Sequence, residues 1–231
     1  MAIYLWFLIP LILLLLWALY YWLFVITEGL YLGRRIVVWL YDVTADSYDG
    51  IKQYSVEDEE ILVVEPLLAE LQGKQNPLVL DVATGTGRVP YFLALDGRFT
   101  KHLNGRVIGL DPSTRMLGHA VENLRPFREY VDLVEQVAVP LPFGDNTFDV
   151  VTSLESIEFF PSDEAAVAEM IRVVKTGGFL MITRRKEWEA YTFIGRYRSR
   201  GAFANWLEEL GMREIMIIDW QSNYDLVIGR K

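Results

Sequence analysis

An acidic residue, a glycine-rich turn and a second acidic residue form the part of the chain best suited by type and spacing to chemistry. The segment DVATGTG, Asp81–Gly87, begins within the last two residues of the mainly apolar run Leu78–Val82. Its glycines permit backbone conformations barred to other residues and let a ligand approach the main chain closely. Asp111 ends a second apolar run, where a carboxylate can accept hydrogen bonds from both hydroxyls of a ribose. The pattern predicts a nucleoside-containing ligand at the carboxyl edge of a parallel sheet.

The residues that flank the turn discriminate between two kinds of cofactor. A dinucleotide site holds pyrophosphate against free N–H groups at a helix N-terminus, and the carboxylate of Asp81 would repel that anion. The position of the third glycine in such a site is taken here by Pro90. The same carboxylate attracts the positively charged amino-acid moiety of S-adenosylmethionine. The turn therefore predicts S-adenosylmethionine, with a nicotinamide or flavin dinucleotide as the disfavoured alternative.

The elements that must position these residues alternate between strand and helix. Short apolar runs bounded by turn residues predict buried parallel strands, and helical patterns separate most of them. Near the end, a helix is predicted over Ser199–Leu210, closed by Gly211. We therefore predict an α/β fold with a doubly wound, seven-stranded, mostly parallel sheet. The predicted strands are Leu78–Val82, Arg106–Leu110, Tyr130–Val134, Phe148–Ser153, Phe179–Thr183, Glu214–Asp219 and Tyr224–Ile228.

An uncharged apolar segment, Ile3–Ile26, precedes this α/β part. At about 1.5 Å per residue, a helix of this length reaches roughly 36 Å, enough to cross a hydrocarbon core of about 30 Å. A cleaved signal peptide is the alternative, but no basic residue precedes the run and no small-residue cleavage site follows it. Because Arg34 and Arg35 are the first basic residues after the segment, we predict a single-pass membrane protein whose catalytic domain is cytoplasmic.

Composition narrows the function classes. The formal net charge of −9 lies entirely outside the apolar segment, which argues against a nucleic-acid partner. The chain has no cysteine, and His102 and His119 stand in no ligand pattern, so no metal is predicted. We expect a transmembrane anchor over residues 1–27, an interfacial helix and a lid or linker over residues 28–54, and a cofactor-binding domain over residues 55–231. Within the middle part, Leu30–Tyr41 suits the membrane interface or packing on the domain, and Asp42–Tyr54 is typical of a connecting loop.

Four segments extend the argument from the turn to a family. LDVATGTGR, VIGLDPSTRML, LPFGDNTFDVV and RVVKTGGFLMI occur in this order and resemble class I S-adenosylmethionine-dependent methyltransferases. The branch they most resemble is the type that serves ubiquinone and menaquinone biosynthesis. The resemblance covers about Tyr41 to Lys231 and leaves the apolar segment outside. It implies a Rossmann-like domain that transfers a methyl group.

The resemblance also assigns residues to parts of the cofactor. It implies that Asp81 and the backbone of Ala83–Gly87 hold the methionine part, that Asp111 holds the ribose and that Met116 flanks the adenine. The family often has an acidic residue for the adenine amino group where this chain has Val137. The backbone N–H of Ala138 or the side chain of Glu135 is the expected substitute. The residues expected at the cofactor are Asp81, Ala83, Thr84, Gly85, Gly87, Asp111, Met116, Ala138, Ser153 and Leu154.

The acceptor side carries fewer signals. Ser153 ends a predicted strand at the carboxyl edge and Leu154 follows it, and both side chains are expected to face the cofactor. Glu155 and Glu158 follow and could serve as a base, but a solvated or helix-capping carboxylate is the commoner role at a strand end, so no catalytic residue is assigned. The segment YDVTADSYD resembles the N-terminal lid of the family, with Tyr48 as a candidate gate.

A basic segment bears on the partner. Arg184–Arg200 contains six basic residues, which could receive an anionic lipid headgroup or form a solvated loop. The leading hypothesis is a membrane-anchored methyltransferase that acts on a hydrophobic acceptor such as a quinone precursor or a lipid. The alternative is a catalytically silent S-adenosylmethionine-binding scaffold or assembly factor at the membrane.

Overall fold

The computed structural model describes residues 2–51 and 55–231 of the chain. Its strands pair in the spatial order β3-β2-β1-β4-β5-β7-β6. All pairs from β3 to β5 are parallel, whereas β7 runs antiparallel to both β5 and β6. The predicted seven-stranded, mostly parallel sheet is thereby confirmed. The strands are β1 (Leu78–Val82), β2 (Arg106–Asp111), β3 (Val131–Glu135), β4 (Phe148–Ser153), β5 (Val174–Arg185), β6 (Arg213–Gln221) and β7 (Tyr224–Arg230).

Serine residues begin four of the helices. Each of these serines accepts a hydrogen bond from the backbone N–H three residues further on, as Ser113 does from Met116 at 3.1 Å. Such a cap satisfies one of the N–H groups that a helix leaves unpaired at its start. The helices are α1 (Ala2–Tyr21), α2 (Arg34–Ile51), α3 (Val56–Glu59), α4 (Glu65–Leu71), α5 (Arg88–Leu95), α6 (Thr114–Asn123), α7 (Asp163–Val173), α8 (Glu187–Ala190) and α9 (Arg200–Glu209).

Apolar layers cover both faces of the sheet. On one face, α4, α5 and α6 pack side chains such as Leu67 and Leu93 against β1 and β4. On the other face, α7 and α9 contribute Met170 and Leu207. Central strand β4 is buried along its whole length. A sheet covered in this way exposes only its edges, so ligands must enter at the carboxyl ends of the parallel strands.

Helix α2 differs from the expected connecting loop, because it continues through Asp42 as far as Ile51. Val37, Tyr41 and Ala45 recur at intervals of four residues, and Val37 and Ala45 are buried. This spacing places them on one helical face, and burial of that face on the domain stabilises the helix beyond its local propensity. The end of the predicted loop, residues 52–54, lies outside the described residues.

Helix α1 continues without a break into a π-helical turn at Trp22–Ile26. Of the helices described, one stretch, Leu8–Ile26, is long and apolar enough to cross a membrane, and none of it is buried. Its last turn joins the domain, since Trp22 Nε1 donates to the carbonyl of Thr192 at 3.1 Å. The Trp22 ring also stacks on Tyr31, with centroids 5.0 Å apart. The apolar helix is therefore attached to the α/β domain at a defined place.

Candidate active site

The carboxyl ends of β1, β2 and β4 open into a cavity of about 280 Å³. The turn after β1 contributes Ala83 and Gly85, the end of β2 contributes Asp111, and the segment after β4 contributes Leu154 and Glu155. In an open parallel sheet, this edge is where a ligand is held by backbone groups and strand-end side chains. The predicted cofactor turn and the predicted ribose acid therefore share one cavity.

The two glycines of the turn serve different purposes. Gly85 has φ +55°, and a Cβ built on it would have no neighbouring atom within 4 Å, so its backbone is open to a ligand. Gly87 has φ +88°, and a Cβ there would lie 2.7 Å from Leu124 Cδ1. Close packing of α6 on the turn thus requires glycine at residue 87. Gly87 is the N-cap residue of α5 and does not line the cavity.

Asp111 joins the ends of two strands at the cavity. Its Oδ2 accepts from the backbone N–H of Gly85 at 2.9 Å, and its Oδ1 accepts from that of Ser113 at 2.9 Å. Burial raises the pKa of this carboxyl to about 6, although both hydrogen bonds lower it. Each oxygen keeps a further lone pair with which to accept a ribose hydroxyl.

Asp81 lies in a smaller space beside the main cavity, together with Thr84 and Arg88. Thr152 Oγ1 donates to Asp81 Oδ1 at 2.6 Å, and burial raises the pKa of Asp81 to about 6. A buried carboxyl of this kind is stabilised in its ionised form by a neighbouring cation. The ammonium group of a methionine moiety would supply that charge.

Helix α2 forms a further wall of the cavity and includes Tyr48, the candidate gate of the lid-like segment, which also lines the smaller space beside Asp81. Val37, Val38, Tyr41 and Tyr48 of this helix line the cavity together with Phe159, whose ring centroid lies 6.5 Å from that of Tyr41. Burial and the nearby Glu28 raise the pKa of Tyr41 well above its ordinary value, which keeps the phenol neutral. The signal in the sequence was the four-residue spacing of Val37, Tyr41 and Ala45, which continues from the predicted helix into the predicted loop.

Two acidic side chains attach α2 to the ribose end of the cavity. Asp42 Oδ1 accepts from Ser113 Oγ at 2.6 Å, and Asp46 pairs with Arg115 at 2.7 Å and with His119 at 3.1 Å. The first bond is partly buried, whereas the second pair is exposed to solvent. Since Ser113 also donates its N–H to Asp111, the helix contacts the group that positions the ribose acid.

The two candidate bases occupy different surroundings. Glu155 lines the cavity with a left-handed φ of +55°, and its Oε1 accepts from Arg88 Nη1 and from Gln221 Nε2, both at 2.8 Å. Glu158 Oε1 accepts from the hydroxyl of Tyr224 at 2.5 Å and does not line the cavity. Burial raises the pKa of Glu158. Glu155 is therefore the carboxylate that faces the reaction space, where Arg88 neutralises it.

The other predicted site residues fall into two groups. Ala138 and Leu154 line the main cavity, as does Val137, while Thr84 lines the smaller space. Met116 and Ser153 are buried but do not line either space. Ser153 Oγ instead donates to the carbonyl of Val82 at 2.8 Å, which fixes the end of β4 against β1. The assignment of each residue to a part of the cofactor stays a prediction.

The basic segment Arg184–Arg200 is paired within the domain. Arg184 and Arg200 bind the buried carboxylate of Asp225 at 2.5 and 2.7 Å, and Arg198 binds Asp163 at 2.6 Å. Arg196 donates to the carbonyls of Glu158 and Phe160. Arg185 and Lys186 pair with Glu189 and Asp219. Because these groups hold the segment against the sheet, they leave little positive charge for a lipid headgroup.

The residues present fit S-adenosylmethionine. Two buried carboxylates lie at the ends of β1 and β2, and the open backbone of Gly85 lies next to both strand ends. Asp111 suits a ribose, while Asp81 suits a cationic amino-acid moiety and would repel a pyrophosphate. This combination matches a cationic nucleoside better than a dinucleotide.

Comparison with known proteins agrees with this chemistry. A family model described as a methyltransferase domain matches residues 80–182. A demethylmenaquinone methyltransferase from Symbiobacterium thermophilum is 30% identical over 183 residues, which are 78% of this chain and 67% of the relative. One from Desulfitobacterium hafniense is 37% identical over 113 residues, which cover 48% of this chain and only 43% of the relative. The chain thus spans between two fifths and two thirds of these relatives.

Solved structures share the fold at lower identity. A methyltransferase that depends on S-adenosylmethionine, from Aquifex aeolicus, has a TM-score of 0.59 at 21% identity and covers 81% of this chain and 97% of its own. The [4+2]-cyclase SpnF has a TM-score of 0.64 at 17% identity, covering 84% and 94%. The fold alone therefore does not decide the reaction. Cavity chemistry, family model and sequence relatives together place this chain in the class I S-adenosylmethionine-dependent methyltransferases, whose cofactor is S-adenosylmethionine.

Proposed function

We propose that this protein is a membrane-anchored methyltransferase that transfers the methyl group of S-adenosylmethionine to a hydrophobic acceptor such as a quinone precursor. The observation that carries the proposal is that helix α2 forms an apolar and aromatic part of the cavity lining. This helix begins eight residues after the apolar helix ends at Ile26. The sequence relatives are demethylmenaquinone methyltransferases, which favours the same class of acceptor.

The bound cofactor would supply a methyl group on a sulfonium, which is a good leaving group, so the protein contributes mainly alignment. Asp81 and Asp111 would hold the two ends of the cofactor that flank the sulfur. The rings of Tyr41 and Phe159 would bind the acceptor by its apolar surface and keep water out. Glu155 is held by Arg88 and Gln221, so it orients neighbours rather than standing free to take a proton.

The opening of the cavity suits an acceptor that arrives from a lipid phase. Arg34 lines the cavity, is exposed and begins α2 directly after the short turn that follows the apolar helix. A helix of this composition would cross the bilayer and hold the opening close to its surface. An acceptor with a long apolar tail could then leave only its head in the cavity.

Incorporation of label from the cofactor tests the function. Purified full-length protein is incubated with native membranes and radiolabelled S-adenosylmethionine, and the label is then counted in the organic and protein fractions. We expect label in the organic fraction, and none with Asp111→Ala. Label in the protein fraction would show a protein acceptor instead. Cofactor binding with no incorporation would favour a silent scaffold, a reading with which Val137 in place of an acidic residue at the adenine end is consistent.

A further inference from the structure

The segment between β5 and α9 carries a group of exposed apolar side chains. We call residues 187–197 the aromatic loop. Trp188, Tyr191 and Ile194 are 63%, 65% and 68% exposed, and Tyr197 is 41% exposed. Single exposed apolar residues are ordinary on a protein surface, but a contiguous group marks a site of interaction.

The aromatic loop is held in shape by its own hydrogen bonds. Arg196 Nη1 donates to the carbonyls of Glu158 and Phe160 at 2.9 and 2.6 Å, and Thr192 Oγ1 donates to the carbonyl of Glu189 at 2.6 Å. The rings of Tyr191 and Tyr197 lie 4.2 Å apart. These contacts tie the loop backbone to the domain while its largest side chains point outward. Their exposure is therefore a property of an ordered structure.

The position of the aromatic loop points to its partner. The hydrogen bond from Trp22 to the carbonyl of Thr192 joins the last turn of the apolar helix to the middle of the loop. The neighbouring Phe193 is buried in one cluster with Leu30 and Val37. The loop therefore lies beside the point at which the apolar helix joins the domain. If that helix spans a bilayer, the loop lies at the level of the lipid headgroups.

The residue types and charges near the aromatic loop suit a position at the lipid headgroups. Trp and Tyr side chains favour the membrane–water interface, because they present an apolar ring together with a polar group. The exposed Tyr31 and Leu32 extend the apolar surface on the other side of Trp22. Arg34 and Arg35 follow, and both are exposed. Exposed guanidinium groups at this position suit anionic lipid headgroups.

We propose that the aromatic loop, with Tyr31 and Leu32, is a second membrane-contact surface that inserts into the interfacial region of an anionic bilayer beside the anchor. The inference rests on the membrane anchoring in the proposed function. Two attachments would prevent the domain from turning about the anchor and would keep the opening at Arg34 against the lipid. A bilayer accounts for the surface better than a partner protein, because the surface is continuous with a helix of lipid-compatible composition.

Single cysteines can report this contact, because the natural chain has none. Ile194→Cys, Leu14→Cys and Leu95→Cys place an environment-sensitive fluorophore on the aromatic loop, in the apolar helix and at the end of α5. All three side chains are exposed, at 68%, 59% and 55%. Since α5 returns the chain from the cofactor edge to the opposite edge of the sheet, Leu95 is the matched site away from the membrane. Each full-length variant is reconstituted in vesicles of phosphatidylcholine and phosphatidylglycerol.

The inference predicts a blue shift of the emission at residue 194 on reconstitution, and a loss of emission when the acyl chains carry bromine. Residue 14 should respond in the same way and residue 95 should not. If the fluorophore at residue 14 is exposed to lipid and the one at residue 194 to water, the proposal of a second membrane contact is wrong and the anchor is supported. Water exposure at both residues would overturn the anchoring itself. Shielding of residue 194 in native membranes, but not in pure lipid vesicles, would identify a protein partner and refute the bilayer.

Discussion

The two walls of the cavity are built in different ways. The cofactor wall comes from turns at the ends of β1, β2 and β4, and hydrogen bonds from Gly85 and Ser113 to Asp111 hold two of these turns together. The acceptor wall comes from α2 and from the segment around Phe159, which are far apart in the chain. The residues of the cofactor wall are recognisable in the sequence as short contiguous motifs. The acceptor wall forms only when distant segments come into contact. Because different segments build the two walls, we expect substitutions to change acceptor choice and cofactor binding separately.

The walls also differ in their electrostatics. Asp81 and Asp111 are buried acids whose pKa values rise to about 6, so the cofactor wall responds to charge and to pH. The α2 wall is made of valine and tyrosine side chains, with Arg34 at its exposed edge, so it responds to shape. Substitutions on one wall should leave the binding function of the other largely intact.

Loss of the ribose acid should have the largest effect. In Asp111→Ala, the cofactor loses hydrogen bonds to a carboxylate worth about 1.5–3 kcal/mol each, and the turn loses its support at Gly85. We expect the dissociation constant for S-adenosylmethionine in calorimetry to rise about 100-fold or more. Asp132→Ala on β3 is the control, because that carboxylate is exposed and pairs only with Arg106 among the described contacts. Unchanged cofactor affinity in Asp111→Ala would refute the assignment of the cofactor wall.

Filling the acceptor wall should separate acceptor turnover from cofactor binding. Val38 lines the cavity on α2, and the larger side chain in Val38→Trp occupies space that an acceptor needs. We expect kcat/KM for the acceptor to fall about tenfold or more, while the dissociation constant of the cofactor stays within about threefold. Val43→Trp is the matched control, since Val43 lies on the same helix, is 54% exposed and does not line the cavity. An equal loss of cofactor binding in Val38→Trp would show that the two walls are not independent.

Lowering the pH from 7 to 5 should weaken the binding of S-adenosylmethionine at the cofactor wall. The carboxyls of Asp81 and Asp111 have a pKa of about 6 in the folded chain against 3.8 in the unfolded chain. The folded state therefore binds more protons between these values, so the stability of the cofactor-free domain falls as pH rises through this window. The cationic cofactor needs ionised carboxylates, so its affinity should rise about tenfold per required acid between pH 5 and pH 7.

The measurement is the difference in Tm with and without S-adenosylmethionine, which should widen from pH 5 to pH 7. Asp81→Asn should reduce the pH dependence, because one of the two titrating groups is removed. A shift in Tm that stays constant over this range in the natural chain would contradict the role of the two buried acids.

Removing one hydrogen bond between α2 and the domain should have the smallest effect on cofactor binding. Asp42→Ala removes the hydrogen bond from Ser113, worth about 1 kcal/mol, and should increase hydrogen exchange of the α2 amides about fivefold. The cofactor affinity should change less, because Ser113 still caps α6 and still donates to Asp111. Asp46→Ala is the comparison, and its solvent-exposed ion pair with Arg115 should matter less than the bond to Asp42. The reverse order would show that α2 is held mainly by surface charge.

Local patterns predicted the central strands well. β1 and β4 have the predicted bounds, because each is a short apolar run whose ends are marked by turn residues. β5 begins at Val174 rather than at Phe179, since Val174 pairs with Phe148 although Gly177 and Gly178 interrupt the pattern between them. Pairing with a partner strand supplies hydrogen bonds that no local propensity records.

Within the site, the prediction was most complete for residues that act through their own turn. Gly85 and Asp111 face the cavity, because the end of a strand and the turn after it determine their direction. Met116 and Ser153 do not line the cavity, because both side chains are buried within the domain, where Ser153 donates to the carbonyl of Val82. The role of Tyr41 was not assigned, since it depends on contact with Phe159 on another element.

The sequence by itself determined the α/β class, the acidic and glycine-rich turn and the family, because each is recorded in short apolar runs and motifs that lie within a few positions of one another. Only the tertiary structure decided that α2 lines the cavity as a helix, that Asp225 and Asp163 pair with the basic segment and that the aromatic loop contacts the end of the apolar helix. These outcomes depend on contacts between distant segments. Such contacts form when burial of apolar surface and pairing of buried charges are satisfied together, and no single stretch of sequence contains both partners.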